Sequence, residues 1–550
     1  MDRQKFASFL RKHSVAPPLI LTLALALAGF RCGETSATPS APAAPPRPKP
    51  SLRVVLLTDP LGYLEPCGCQ QRPLGGIDKL AATVQKARAE GVPVIALAAG
   101  DLTFGSAIHG DDALSARTEE LWRAETLIDA WGTIGVLAVT PGPLDFGRGA
   151  DAQRELAKRA KFPYLAENLS LTDGPLDSVA KARVFEVGPT KVGVFGIVAP
   201  NATIDANVRV DADLRGISQR AVSALRNQGS KIVIAMTSGD RRTAREVASG
   251  GPDFVVIGGL DAEEPVPPFR QGDTTLLHAG RQGQRVLTLD LGLSPTGAFQ
   301  DVSEWTRKVA RDDVVKRVND LEARIREWEK DPRTSAADLA AQRARLATLH
   351  AERDQAPALR YDGRWFAAAI VDLAPEVQGD REIAARMDAV DKRINQHNRD
   401  ALKDRLPKPA APGSASYVGS ESCKSCHTAA YDWWRATKHG TAYATLEKLN
   451  KEFSLACVGC HVTGYNQPGG STVTHNEALK DVGCENCHGP SSLHNLKPEE
   501  AGLVHRDTPE ATCKACHNQE HSARFQYDAF RSLLIVPGHG LPAVKSGDPK

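Results

Sequence analysis

Four times in its last quarter the chain repeats one arrangement of thiols and imidazole: Cys423-x-x-Cys426-His427, Cys457-x-x-Cys460-His461, Cys484-x-x-Cys487-His488 and Cys513-x-x-Cys516-His517. Two thiols at this spacing add to the two vinyl groups of a single porphyrin, and the histidine beside the second thiol reaches the iron from the same side. Cys-x-x-Cys pairs also build zinc ribbons, but a ribbon has no need of histidine directly after its second cysteine. With 15 histidines in 550 residues, four such placements by chance have a probability on the order of one in a million, so the motifs point to four c-type haems. The proximal histidines stand 34, 27 and 29 residues apart. That is too little polypeptide per group for an ordinary apolar core, so the porphyrins themselves should form the core, close enough to exchange electrons. Six more histidines share the segment: His439, His475, His494, His505, His521 and His539. Four irons take at most four distal ligands, so this density marks several of the six as candidates.

The elements that must carry these motifs are legible in outline. A chain of 550 residues exceeds what one core usually serves, and 41% hydrophobic with 24% charged residues reads as folded and multidomain. A formal charge of +2, from 68 basic and 66 acidic side chains, gives no reason to expect nucleic acid as a partner. Residues 1–32 hold a basic start and an apolar run from Leu19 to Phe30, too short to span a bilayer, so they read as an export signal. Cys32 behind that run is a candidate for lipidation and membrane tethering, although Phe30 and Arg31 stand where small residues are expected. Residues 33–50 form a Pro/Ala-rich linker. From 51 to 303, apolar runs at 52–57, 92–98, 191–198, 231–236 and 253–259 alternate with amphipathic stretches such as 77–89 and 218–227, the pattern of an α/β domain. Residues 304–354 read as a helical hairpin, with Asp331-Pro332 ending one helix and Ser335 capping the next. A short strand and a helix occupy 355–407, a linker 408–416, and the multihaem domain 417–550.

In that last domain Tyr417-Val-Gly-Ser-Glu-Ser-Cys, Trp434 followed by Lys438-His439, Cys457-x-x-Cys-His-Val-Thr-Gly-Tyr and Gly483-Cys-Glu-Asn-Cys-His-Gly-Pro with His494 resemble the tetrahaem cytochrome c family that shuttles electrons from hydroxylamine oxidation. The resemblance covers about 417–520 and implies a mostly α-helical fold. It also implies His439 and His494 as distal ligands, each serving a haem other than its nearest neighbour in sequence. His521 and His505, ahead of His475, are candidates for the others. One haem in that family can lack a distal ligand, and an open iron is where a small molecule would bind.

The region 51–303 is similar in layout to the metallophosphoesterase domain of periplasmic 5′-nucleotidases, an α/β/β/α sandwich. The matching pieces are Asp59, Gly75-Gly76, Gly100-Asp101, Gly142 to Gly149, Lys191-Val-Gly-Val-Phe-Gly-Ile-Val and His278-Ala-Gly. That family holds two metals through several histidines. Here Leu61, Pro143-Leu144, Ser238 and Leu260-Asp261-Ala262 stand in the histidine positions, so the resemblance implies a degenerate site. Glu65-Pro66-Cys67-Gly68-Cys69 follows the first strand. One reading joins Cys67 and Cys69 with Asp59, Asp101 and His278 in a rebuilt site for a metal ion, zinc or cuprous copper. The others are a redox or disulfide pair, and two thiols shaping a loop.

The expected protein is thus a periplasmic or exported electron carrier with a nucleotidase-like domain for docking or sensing. The rivals are a haem oxidoreductase acting on a small nitrogen or sulfur compound, and a phosphoesterase with a rebuilt metal site. Residues 417–550 carry 13 basic and 14 acidic side chains. Each ferric haem with both propionates ionised adds about −1, so the holo-domain is near −5, and a redox partner should present a basic face.

Overall fold

The computed structural model describes residues 46–66, 72–105, 113–172, 177–200, 207–260, 262, 264–294, 297–354, 359, 361–518, 522 and 525–534. The expected signal and Cys32, the Cys67 and Cys69 pair, His521 and His539 lie outside them.

The apolar runs become strands buried on both faces, which is why they read as continuous rather than alternating. One six-stranded sheet has the order β13-β14-β12-β1-β2-β3, from β1 (Leu52–Thr58), β2 (Val94–Gly100), β3 (Val136–Pro141), β12 (Arg285–Gly292), β13 (Gln300–Asp301) and β14 (Trp365–Asp372). The second has the order β10-β11-β9-β8-β6-β5, from β5 (Arg183–Val187), β6 (Thr190–Val198), β8 (Ile232–Ser238), β9 (Phe254–Gly258), β10 (Val266–Gln271) and β11 (Thr274–His278). A small ladder joins β4 (Leu169–Leu171) and β7 (Val208–Val210). Leu56, Leu97 and Leu289 of the first sheet meet Ile234 and Val256 of the second in one buried cluster. The outer face of the first sheet is covered by α1 (Ile77–Ala89), α2 (Ala113–Ile134) and α3 (Ala150–Arg159). That of the second is covered by α4 (Leu214–Asn227) and α5 (Arg241–Ala248). The layers are therefore α/β/β/α.

The hairpin is α6 (Glu304–Trp328) against α7 (Ala336–Asp354), with its own core of Val314, Val318, Leu321, Ile325 and Leu349. Ser335 Oγ accepts from Asp338 N at 3.1 Å, the expected cap.

The strand and the helix expected in 355–407, β14 (Trp365–Asp372) and α8 (Arg381–Ala401), pack with the sandwich. β14 pairs antiparallel with β12 along eight residues, Trp365 opposite Gly292 through Asp372 opposite Arg285. The helix α8 (Arg381–Ala401) follows, burying Ile383, Met387, Val390 and Ile394 in the same core as α1 and α2. The sandwich thus extends beyond residue 303 to the end of α8. From Arg47 onward the chain forms one compact unit. Among the described residues no helix is long and apolar enough to cross a membrane.

After Ala401 the regular elements shrink to single turns and helices of five to eight residues. The protein core there is the small cluster of Tyr443, Val458, Val462 and Val473.

Candidate functional site

In the first and fourth motifs the amide of the histidine donates to the carbonyl of the first cysteine: His427 to Cys423 at 2.9 Å and His517 to Cys513 at 2.8 Å. Each of these motifs is thus one helical turn. Residues i, i+3 and i+4 share a face of such a turn, so both thiols and the imidazole point to one side. Accessory bonds then orient the rings. His461 Nδ1 lies 2.7 Å from the Ala442 carbonyl and His488 Nδ1 lies 2.6 Å from that of His505. A histidine held this way at Nδ1 presents Nε2 to a metal.

The fold brings distant histidines close together. The rings of His427 and His494 have centroids 6.4 Å apart and planes inclined by 28°. Those of His439 and His517 are 6.1 Å apart. Two metal–nitrogen bonds of about 2 Å and two half-rings of about 1 Å span about 6 Å, close to the centroid separation of each pair. Burial holds His439 and His517 below the ordinary imidazole pKa, in the neutral form a metal requires. None of the eight motif cysteines is in a disulfide. Those of different motifs converge: Cys423 lies within hydrogen-bond reach of Cys484, and Cys460 of Cys516. Attachment edges one and three, and two and four, therefore abut. Leu496 is 78% exposed and Leu533 62%, and Phe525 stacks on His517 at 4.5 Å. Apolar surface of this kind in a segment with so small a core suits porphyrin faces, so the residues present fit c-type haem.

Other expected ligands are placed differently. The main-chain carbonyl of His505 lies 2.6 Å from His488 Nδ1. His475 turns its Nδ1 to Thr474 Oγ1 at 3.0 Å. Trp434 donates from Nε1 to the Val482 carbonyl at 2.9 Å, tying the first motif to the third.

Sequence reasoning missed the carboxylates that hold the motifs in place. Buried Glu485 accepts from the amides of Val418, Gly419 and Ser491 and from Ser491 Oγ, all at 2.8–3.1 Å. Asp481 accepts from Tyr443 N and Arg435 Nη1, each at 2.8 Å. The one available signal was an acidic residue inside a Cys-x-x-Cys.

At the carboxyl ends of the sheets Asp59 and Asp101 do come together, but each is engaged by backbone. Asp59 accepts from Gly259 N at 2.7 Å and Asp101 N at 3.1 Å, and Asp101 accepts from Leu144 N at 2.8 Å. Burial raises Asp59 to about 6, and burial with the neighbouring Asp145 carboxyl raises Asp101 to about 7. A side chain on Gly100 would start 2.0 Å from Asp59 Oδ1. His278 directs Nδ1 to the Ile257 carbonyl at 2.9 Å and Nε2 to that of Ala262 at 3.1 Å. Thr58 Oγ1 of the first sheet also lies 3.4 Å from its Nδ1. Among the described residues no group of three or more His, Cys, Asp or Glu could hold a metal ion. Cys67 and Cys69, the other two residues of the expected site, lie outside the described residues.

Residues 422–489 match the family model described as Cytochrome c554 and c-prime. Cytochrome c-554 of Nitrosomonas europaea is 38% identical over 136 residues, 19% of this chain, which spans 58% of that relative's length. The carboxy-terminal part thus carries the signature of a c-type cytochrome family. Among solved structures, the 5′-nucleotidase precursor of Thermus thermophilus superposes with a TM-score of 0.44 at 15% identity, covering 68% of this chain and 62% of that one. The Thermus thermophilus sulfate thiohydrolase SoxB gives 0.43 at 15%, covering 70% and 69%.

Proposed function

We propose that the chain is an exported, periplasmic electron carrier with four c-type haems, bound through its four Cys-x-x-Cys-His motifs. His494 serves the iron of His427, and His439 serves that of His517. The sandwich is a support and docking module without phosphoester hydrolysis. The observation that carries this reading is the pairing of histidine rings across 6.1–6.4 Å between residues 67 and 78 positions apart in sequence. The abutting thiols of motifs one and three and of two and four support electron exchange between attached haems. The electron partner is a redox protein with a basic face.

The test is optical and paramagnetic spectroscopy of the purified holoprotein. Four haems per chain with low-spin iron at the two paired sites are expected, and His494→Ala should turn one low-spin haem high-spin. Zinc in place of haem, or four high-spin irons, would overturn the reading. A high-spin haem that binds carbon monoxide when reduced would move it towards a haem oxidoreductase.

A further inference from the structure

The sandwich and the cytochrome part meet in a buried polar junction that no sequence motif announces. Glu119 on α2 is 3% exposed. Its Oε1 accepts from Ser454 Oγ at 2.6 Å and its Oε2 from Leu455 N at 3.0 Å and Asn398 Nδ2 at 3.0 Å. Asn398, on α8, also donates to the Phe453 carbonyl at 2.9 Å. One helical turn along α2, Arg123 reaches Glu65 at 3.3 Å, Glu119 at 3.6 Å and Asp391 of α8 at 3.0 Å. Lys451 enters from the cytochrome side, 2.9 Å from Glu65 and 3.3 Å from Asp391. Three carboxylates thus surround two cations, and all five side chains are mostly shielded from water.

Two features give this cluster more than an adhesive role. The residues Glu119 and Asn398 grip, 453–455, lead directly into Cys457, whose amide donates to the Ser454 carbonyl at 3.1 Å. The charges of Arg123, Lys451 and Glu119 also act on Cys457 itself. A charge buried close to a redox group is screened far less than one on the surface, so it shifts the balance between ferric and ferrous iron.

We propose that Arg123 and Glu119 of the sandwich position and tune the haem attached at Cys457 and Cys460, so that the fused domain sets the potential of one haem in the chain. This rests on reading those cysteines as a haem attachment. Arg123 disfavours the extra positive charge of ferric iron and raises the potential; Glu119 opposes it. The role of each is electrostatic and positional, and neither touches the iron.

The experiment is a spectroelectrochemical titration of the full-length holoprotein with Arg123→Gln, Arg123→Lys and Glu119→Gln. Arg123→Gln should lower the reduction equilibrium of a single haem by at least tenfold, which is 59 mV for one electron. Glu119→Gln should raise that same haem, and Arg123→Lys should restore it towards wild type. A purely structural lesion cannot give shifts of opposite sign confined to one haem. Unchanged potentials in both neutral variants, or shifts of the same sign spread over all haems, would overturn the proposal. Haem content of the wild type, measured in parallel, separates the two readings: fewer than four haems with Cys457 and Cys460 unmodified would refute the attachment itself.

Discussion

At the scale of single residues, Asp59 acts as a staple in the sandwich. Asp59 joins the end of β1 to Gly259 beyond β9, so one carboxyl ties the two sheets together. Burial raises its pKa to about 6. In the folded protein it therefore keeps a proton that the unfolded chain releases between about pH 4 and 6. Folding binds that proton, so this contribution to stability is complete at low pH and is lost as pH rises through the folded pKa. Asp59→Asn keeps the shape and tolerates the left-handed backbone at this position, where φ is 44°. The variant should gain on the wild type by about 3 kcal/mol as pH climbs from 4 to 7. Thermal midpoints of the two proteins across that range check it, and parallel curves would show that Asp59 does not carry the proton. The candidate ligand histidines split by range. Each proximal histidine was legible because its partners lie within five residues. The resemblance implied His494 as a distal ligand but not its partner, since spacing alone cannot say which rings the chain will fold together.

At the scale of elements, helices with local signals were the most legible. The helix starting at Ile77 and the cap at Ser335 follow from nearby residues. β14 was recognised as a strand but not as part of the first sheet, because its partner β12 lies across the whole hairpin and pairing between distant segments leaves no local trace. That hairpin is an insertion. Its apolar core is internal, and Glu322 on one helix lies 3.4 Å from His350 on the other. Excising residues 323–348 and joining the stumps by a short glycine-asparagine turn should leave haem content and the thermal midpoint essentially unchanged. Circular dichroism and haem absorbance check this. A variant that keeps its haems but loses electron exchange would instead make the hairpin a partner-binding arm.

At the scale of the whole molecule, charge is distributed by domain. With the four proposed haems attached, residues 417–550 would carry about −5 and the full chain about −2, so the rest of the chain is about +3. Electron exchange with a basic monohaem cytochrome should slow as ionic strength rises from 50 to 500 mM, in stopped-flow mixing, because screening removes the steering between opposite charges. With an acidic acceptor the slope should reverse. The contact between the domains was invisible in the sequence for a plain reason. Glu119 and Ser454 are 335 positions apart, and neither is unusual in its own neighbourhood.

The place of β14 has a consequence for the integrity of the chain. It lies between β13 and β12, both of which precede the hairpin, and the remaining helix and the cytochrome follow it. A protease that cuts the turn at 329–335 severs the backbone at an exposed tip but not the sheet. The carboxy-terminal fragment would remain clasped by its strand, by α8 and by the grip of Glu119 on Ser454. A nicked molecule of this kind would run as two bands under denaturing conditions and migrate as one species in its native state.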